Sequence, residues 1–238
     1  MPSVYKITQL PLEMIWYILR WCDFATSKSL VVMFDFDIQI AYQYHLYSPV
    51  GGSNFQIFEH IKSLCVNASN FKYLTRNDAF GKHFSSNQLF IFAAGMGEFS
   101  TFMNYLPFSD PSIDNNLACC LASSHGHSEI LECILNDPRV DPSDQGNYAL
   151  KSASQKGYIE IVNKLLKDDR VDPSASDNFA IGVASILGHI EIVEALLKHD
   201  RLILPNDFWA LPYAFMKGNT VIVGLLCNYL GLDVNLWK

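Results

Sequence analysis

The chain has 238 residues, of which 50% are hydrophobic and only 17% are charged, so it has far more apolar surface to bury than a disordered segment would carry. Its formal net charge of −7, without a cluster of Lys or Arg, argues against nucleic acid and against an anionic membrane as partners. Six cysteines without a Cys-x-x-Cys pair, and an N-terminal segment interrupted by charged residues, favour a cytoplasmic or nuclear protein that is not secreted.

The first predicted element is a short amphipathic helix in a helical module over residues 1–54. Leu10-Pro11-Leu12-Glu13-Met14-Ile15 places a proline at the start of this helix, and Ile18-Leu19 continues its apolar face. The order resembles the opening of an F-box, the motif that binds the adaptor of a cullin-type ubiquitin ligase. The resemblance implies an adaptor-binding role for Leu10, Pro11, Leu12, Ile15, Ile18 and Leu19. The alternative is a helical cap over the apolar side of the first repeat.

A second motif follows within the same module. Val31-Val32-Met33-Phe34-Asp35-Phe36-Asp37 resembles the strand and Asp-x-Asp with which haloacid-dehalogenase phosphatases hold a nucleophilic aspartate. Gln39 replaces the threonine of that family, and no glycine-rich aspartate motif follows. Two surface acids on a helix are therefore the preferred interpretation, and a phosphatase that uses Asp35 and Asp37 is a remote alternative. No other catalytic motif is present, so we expect neither enzymatic activity nor a cofactor.

The strongest pattern is a unit that recurs between residues 87 and 238 with glycine spacings of 29, 31, 31 and 30 residues. Each of these glycines follows an alanine by four residues, in the pairs Ala93 and Gly97, Ala122 and Gly126, Ala153 and Gly157, Ala184 and Gly188, and Ala214 and Gly218. Apolar pairs at helical spacing follow most of the glycines, and prolines such as Pro138 and Pro173 then interrupt the helix. Each unit is predicted to be a helix, a glycine turn, a second helix and an extended loop.

Asparagines mark the start of the first helix in four of these units. Asn87, Asn116, Asn147 and Asn178 each stand ten residues before their glycine. A side-chain oxygen at this position can accept a hydrogen bond from the first helical turn, so the asparagines are predicted to be N-caps.

The second half of the unit resembles an ankyrin repeat. Gly188-His189-Ile190-Glu191-Ile192-Val193 matches the opening of the second ankyrin helix, and Gly157-Tyr158-Ile159-Glu160-Ile161-Val162 nearly does. The resemblance implies an all-α solenoid of stacked helix pairs over residues 87–238, which binds other proteins as an adaptor. The period is shorter than the usual ~33 residues, and the Thr-Pro-Leu-His opening is missing. Residues 55–86 are predicted to be a degenerate repeat or a linker.

A group of potential zinc ligands lies in one unit and consists of Cys119, Cys120, His125, His127 and Cys133. The repeat register gives another explanation, because Cys119 occupies the apolar position of Leu150 and Ile181 in later units. We therefore expect these side chains to belong to the repeat and not to a metal site.

The ankyrin resemblance also predicts the partner-binding residues, since the exposed concave positions lie five, two and one residues before each turn glycine. In the unit of Gly157 these positions are polar, whereas in the next two units they are Val183, Ile186, Leu187, Tyr213, Met216 and Lys217. An exposed apolar patch of this kind predicts a protein-binding surface. The alternative is that the end units tilt and these side chains pack inward. The target is not identified, and apart from it the chain is expected to be monomeric.

Overall fold

A computed structural model of the chain describes residues 84–237. The predicted N-terminal module at residues 1–54 lies outside the described residues, and so do its F-box-like helix and the pair Asp35 and Asp37. Residues 55–83 of the predicted degenerate repeat or linker lie outside them as well. The described residues up to Tyr105 belong to one compact unit, and those that follow belong to a second.

The described part of the first compact unit is a helix pair, α1 (Ser86–Met96) and α2 (Phe99–Tyr105). Helix α1 begins with a capping box, in which the Ser85 hydroxyl accepts the Gln88 N–H at 3.2 Å and the Gln88 side chain accepts the Ser85 N–H at 3.0 Å. Phe90 and Phe102 stack with their ring centroids 4.9 Å apart, and both are fully buried. The two helices therefore share an aromatic core.

The second compact unit contains four further helix pairs. They are α3 (Ile113–His125) with α4 (Ser128–Leu135), α5 (Asp144–Lys156) with α6 (Ile159–Leu165), α7 (Ala175–Leu187) with α8 (Ile190–Leu197), and α9 (Ala210–Met216) with α10 (Thr220–Leu230). Short 3₁₀ turns lie at Leu106–Phe108 and Val234–Trp237. Residues 84–237 contain no β-strand, which confirms the predicted all-helical fold class. None of their helices is both long and apolar enough to cross a membrane.

The four pairs stack in chain order. The first helices pack side by side, α3 on α5, α5 on α7 and α7 on α9, and the second helices α4, α6, α8 and α10 do the same. The alanine that stands four residues before the turn glycine is fully buried in each of these pairs, at Ala122, Ala153, Ala184 and Ala214. A methyl group at this position lets neighbouring backbones approach closely, so the predicted stacking of helix pairs is confirmed.

The turn between the two helices of a pair forms as the repeat predicts. Gly126, Gly157 and Gly188 end their helices in the left-handed conformation with φ of 80 to 82°, and each donates its N–H to the alanine carbonyl four residues earlier. Glycine adopts this backbone conformation without the steric cost that a side chain would add. The recurring glycine thus sets the length of α3, α5 and α7, whereas α9 ends one residue before its glycine, at the C-cap Lys217.

The prediction of extended loops was wrong. After α4, tight turns form in which Val140 donates its N–H to the Asp137 carbonyl at 3.1 Å and Asp144 donates to the Asp141 carbonyl at 3.3 Å. Three consecutive left-handed residues with φ between 52 and 65° then precede the regular part of the first helix, at Asp114-Asn115-Asn116, Gln145-Gly146-Asn147 and Ser176-Asp177-Asn178. These segments are rich in Asn, Asp and Gly, the residues that tolerate this conformation best. Proline predicts the helix break, but it does not determine how the chain turns afterwards.

The prediction that the asparagines are N-caps was also wrong. Asn87 lies inside α1, whose N-cap is Ser85. Asn116 Oδ1 accepts the backbone N–H of Asp141 at 2.9 Å, and Asn147 Oδ1 accepts the N–H of Asp172 at 3.0 Å. Each of these two bonds runs from one unit to the loop of the next. Because the partner lies 25 residues further along the chain, a local capping pattern cannot reveal it.

This series of asparagine bonds stops at Asn178. Its Oδ1 is buried and has no hydrogen-bond partner within residues 84–237. The N–H that would continue the series belongs to Ile203, and it donates to the Ser174 hydroxyl at 2.9 Å. Phe208, which is 1% exposed, then occupies the asparagine position of the last unit. The interface between the last two pairs therefore differs from the earlier ones.

Arginines join successive loops. Arg170 donates to the Val140 carbonyl of the preceding loop, and Arg201 donates to the carbonyls of Asp169 at 2.6 Å and Val171 at 2.7 Å. Loop carbonyl oxygens, which do not take part in helix or sheet hydrogen bonds, thus accept hydrogen bonds from charged guanidinium groups. These bonds fix each loop against its neighbour.

Candidate protein-binding surface

One face of α5, α7 and α9 is formed by the positions nine, six, five and two residues before each turn glycine. This spacing places them on the same side of a helix. They are Tyr148, Lys151, Ser152 and Gln155 in the first of these units, Phe179, Gly182, Val183 and Ile186 in the second, and Trp209, Pro212, Tyr213 and Met216 in the third. Apart from Tyr148, the face is therefore polar on α5, and it becomes apolar on α7 and α9.

The six residues predicted to bind a partner lie on α7 or α9 or directly after α9, and are called the α7–α9 patch: Val183, Ile186, Leu187, Tyr213, Met216 and Lys217. Leu187 is 50% exposed, Tyr213 54% and Met216 78%, and Lys217 is exposed as well. Val183 and Ile186 are half-buried. The alternative drawn from the sequence was that these side chains pack inward. Only Val183 and Ile186 are partly turned inward in this way.

An indole ring joins the two helices that carry the patch. A Cβ atom on Gly182 would lie 2.2 Å from Cζ2 of Trp209, so the ring occupies the space that a side chain on α7 would need. Trp209 Nε1 donates to the Asp177 carbonyl at 3.0 Å, and its ring lies 6.5 Å from that of Tyr213. The indole is held at both ends and supports the tyrosine ring. This contact was not predicted from the sequence, although Gly182 interrupts the apolar run from Phe179 to Ala184.

The C-terminal end of α7 is fixed by the following unit. Asn219 Nδ2 donates to the carbonyls of Ser185 at 2.8 Å and Ile186 at 2.9 Å. One unit earlier, His189 Nε2 donates to the Gln155 carbonyl at 3.2 Å from the equivalent position. The residue after each of these glycines thus satisfies carbonyls at the end of the preceding first helix. The backbone that carries Ile186 and Leu187 is therefore held in place.

Acidic residues dominate the loops beside this face. The segments 137–147, 168–178 and 199–208 contain nine aspartates and three arginines. Arg139 pairs with Asp137 at 2.7 Å and Arg170 with Asp168 at 2.6 Å. Hydrogen bonds from these guanidinium groups hold the pKa of both carboxyl groups below the ordinary value. The remaining aspartates of these segments form no ion pair with a basic side chain in the described part of the chain.

The second helices α4, α6 and α8, with the residues directly after them, carry charges of both signs. Lys164 on α6 pairs with Glu132 on α4. A shallow groove between α6 and α8 is lined by Lys167, Glu191 and Lys198 together with apolar side chains. From α4 to α8 this side of the stack therefore lacks the one-sided apolar character of the α7–α9 patch, whereas α10 carries no charged residue and exposes Val221 and Tyr229.

The cysteines and histidines of the third and fourth helices belong to the repeat. Cys119 is 1% exposed, as is Leu150 at the equivalent position, so the predicted register is confirmed. Burial raises the pKa of the Cys119 thiol, and it raises the pKa of Cys120 to about 12. The rings of His125 and His127 stack 6.2 Å apart. Across residues 84–237, no three His, Cys, Asp or Glu side chains form a group that could hold a metal ion.

Comparison with curated proteins found no match to this sequence. The family model described as ankyrin repeats, in three copies, matches residues 89–177. The matched range begins in α1 and ends within the first turn of α7, and the same helix-pair geometry continues from there to α10. All-helical stacked pairs are the architecture of an ankyrin-repeat solenoid. Residues 89–177 are therefore similar to three ankyrin repeats in sequence, and their stacked helix pairs are consistent with that fold.

Proposed function

We propose that the chain is a protein-interaction adaptor that binds its target through the α7–α9 patch. Ankyrin repeats indicate protein–protein interaction. The observation that carries the choice of surface is the exposure of Leu187, Tyr213 and Met216, which are between 50 and 78% exposed on two adjacent helices. Aromatic and methionine side chains are enriched in the cores of protein interfaces.

The energetics favour a small number of anchoring residues. Burying a large apolar side chain contributes about 1.5–3 kcal/mol, and interface energy concentrates in a few such residues. Among the apolar side chains of the patch, Tyr213 and Met216 have the largest exposed fractions. The backbones of α7 and α9 are already fixed by the Trp209 and Asn219 contacts, so little ordering of the helices would oppose binding.

The ligase connection is a separate and finer prediction. It rests on the sequence resemblance of Leu10 to Leu19, which lie outside the described residues, and the family match begins only at residue 89. Under this version the N-terminal residues hold the ligase adaptor while the α7–α9 patch holds the target. The proposed use of the patch does not depend on it, because an ankyrin scaffold without a ligase link would use the same surface. No catalytic step is assigned to the chain.

Comparative affinity purification tests the proposed function. The full chain, the double variant Tyr213→Ala with Met216→Ala, and the control Val221→Ala are used as baits, and bound proteins are quantified by mass spectrometry. Val221 is 58% exposed but lies on the second helix α10. We expect at least one protein to be retained by the wild type and the control but depleted about tenfold or more by the double variant.

The variants truncate exposed side chains, so their helical circular dichroism and melting temperatures should match those of the wild type. If the double variant folds and retains every protein that the wild type binds, the α7–α9 patch is not the binding surface.

A further inference from the structure

Rings and carboxylates alternate at the loop end of the patch. Phe179 is 38% exposed and follows the exposed Asp177 by two residues, and Trp209, which is half-buried, follows the exposed Asp207 by two residues. The two sets lie on adjacent units, because α7 packs on α9. The same combination of an aromatic ring and a carboxylate therefore occurs twice, side by side.

These carboxylates are available for an external cation. Within the described residues, neither Asp177 nor Asp207 forms an ion pair, and the guanidinium group of Arg201 is directed to backbone carbonyls of the preceding loop. An aromatic face attracts cations through its quadrupole, and a carboxylate accepts charge-assisted hydrogen bonds from guanidinium or ammonium groups. Together they favour arginine or lysine side chains.

We propose that the target segment that binds the α7–α9 patch is basic as well as apolar. One arginine or lysine lies against Asp177 and Phe179, a second lies against Asp207 and Trp209, and an apolar side chain covers the exposed surface of Met216. This inference rests on the proposed function and specifies the chemistry of the partner. The negative loops give the charge complementarity that selects such a segment.

The packing distance gives the spacing of the two basic residues. Neighbouring packed helices lie about 8–10 Å apart. An extended segment in the polyproline II conformation has three residues per turn and rises about 3.1 Å per residue, so basic side chains at positions i and i+3 point to the same side about 9 Å apart and match two adjacent units. The segment is therefore expected to cross α7 and α9 in an extended conformation.

The preceding unit would not accept a third basic residue. Lys151 lies on the same face of α5, and its ammonium group is 3.2 Å from the Ser176 hydroxyl. Its positive charge repels a further cation at this position. The basic part of the segment is therefore limited to the units of α7 and α9.

A peptide selection tests the proposal. A display library of random twelve-residue peptides is selected on the full chain, and the enriched peptides are synthesised and their affinities measured at low and physiological salt. We expect enrichment of two basic residues three positions apart beside an apolar residue. Binding to the variant Asp177→Asn with Asp207→Asn should be on the order of tenfold weaker, and this loss should shrink as salt increases.

The control variant Glu160→Gln with Glu191→Gln removes the same charge from exposed positions on the second helices α6 and α8, and its affinity should stay within about twofold of the wild type. Asn at position 177 is compatible with the left-handed backbone there, where φ is 59°.

The possible outcomes separate this inference from the proposed function. One outcome is that the selected peptides lack basic residues and bind the Asp177→Asn, Asp207→Asn variant as tightly as the wild type, but bind the Tyr213→Ala, Met216→Ala variant more weakly. In that case the basic-partner proposal is overturned and the patch remains the binding surface. If the enriched peptides are also unaffected by the latter variant, both proposals fail.

Discussion

Asn147 and Asn178 occupy the same position in successive repeats, with φ of 60 and 58° and exposures of 5 and 6%. Asn147 accepts the Asp172 N–H at 3.0 Å, whereas the Asn178 oxygen is buried without a partner among the described residues. The sequence shows the recurring asparagine, but not this difference. The bond depends on where the next loop places a backbone N–H, and the loop after α8 directs that of Ile203 to a serine.

The pair provides a matched test of the inter-repeat hydrogen bond. Asn147→Ala removes the acceptor of a partly buried N–H and should lower the free energy of unfolding by about 1–3 kcal/mol more than Asn178→Ala does. Both substitutions place alanine in a left-handed backbone conformation, which costs about 1–2 kcal/mol in each variant and therefore cancels when the two are compared. Urea unfolding followed by circular dichroism measures the difference. Equal losses in the two variants would mean that the bond does not join the repeats.

The helices show which sequence features are sufficient to predict an element and which are not. The glycine and alanine register predicted where the first helices end and which residue they bury, because both effects are local. The contact between α7 and α9 could not be predicted in this way. It depends on Gly182 and on a tryptophan 27 residues later, and their proximity arises only when the two units stack.

Two helical glycines test that contact. Gly182→Ala would place a methyl group 2.2 Å from the Trp209 ring, and we expect a loss of about 1–3 kcal/mol in stability with a change in tryptophan fluorescence. A methyl group on Gly224, inside α10, would meet no neighbouring group within 4 Å, so Gly224→Ala should be neutral or stabilise by up to about 1 kcal/mol. Thermal unfolding compares the two. A Gly182→Ala variant as stable as Gly224→Ala would show that the indole does not lie over α7.

At the scale of the whole stack, the period of the sequence was enough to predict serial packing, since each helix pair can bury its apolar side only against its neighbours. The predicted patch follows from the same register, because positions at fixed distances from the glycine share one face. The residue types at these positions, however, change from one unit to the next. The change from Gln155 on α5 to Ile186 and Met216 on the next units is what distinguishes α7 and α9 as the candidate binding surface.

Amide hydrogen exchange of the full chain, with and without a peptide selected on it, tests the binding surface most directly. Binding through the α7–α9 patch predicts slower exchange in residues 179–187 and 209–217, with little change in 190–197 and 220–230 on the second helices. Protection confined to the second helices, or to residues before α7, would contradict the account.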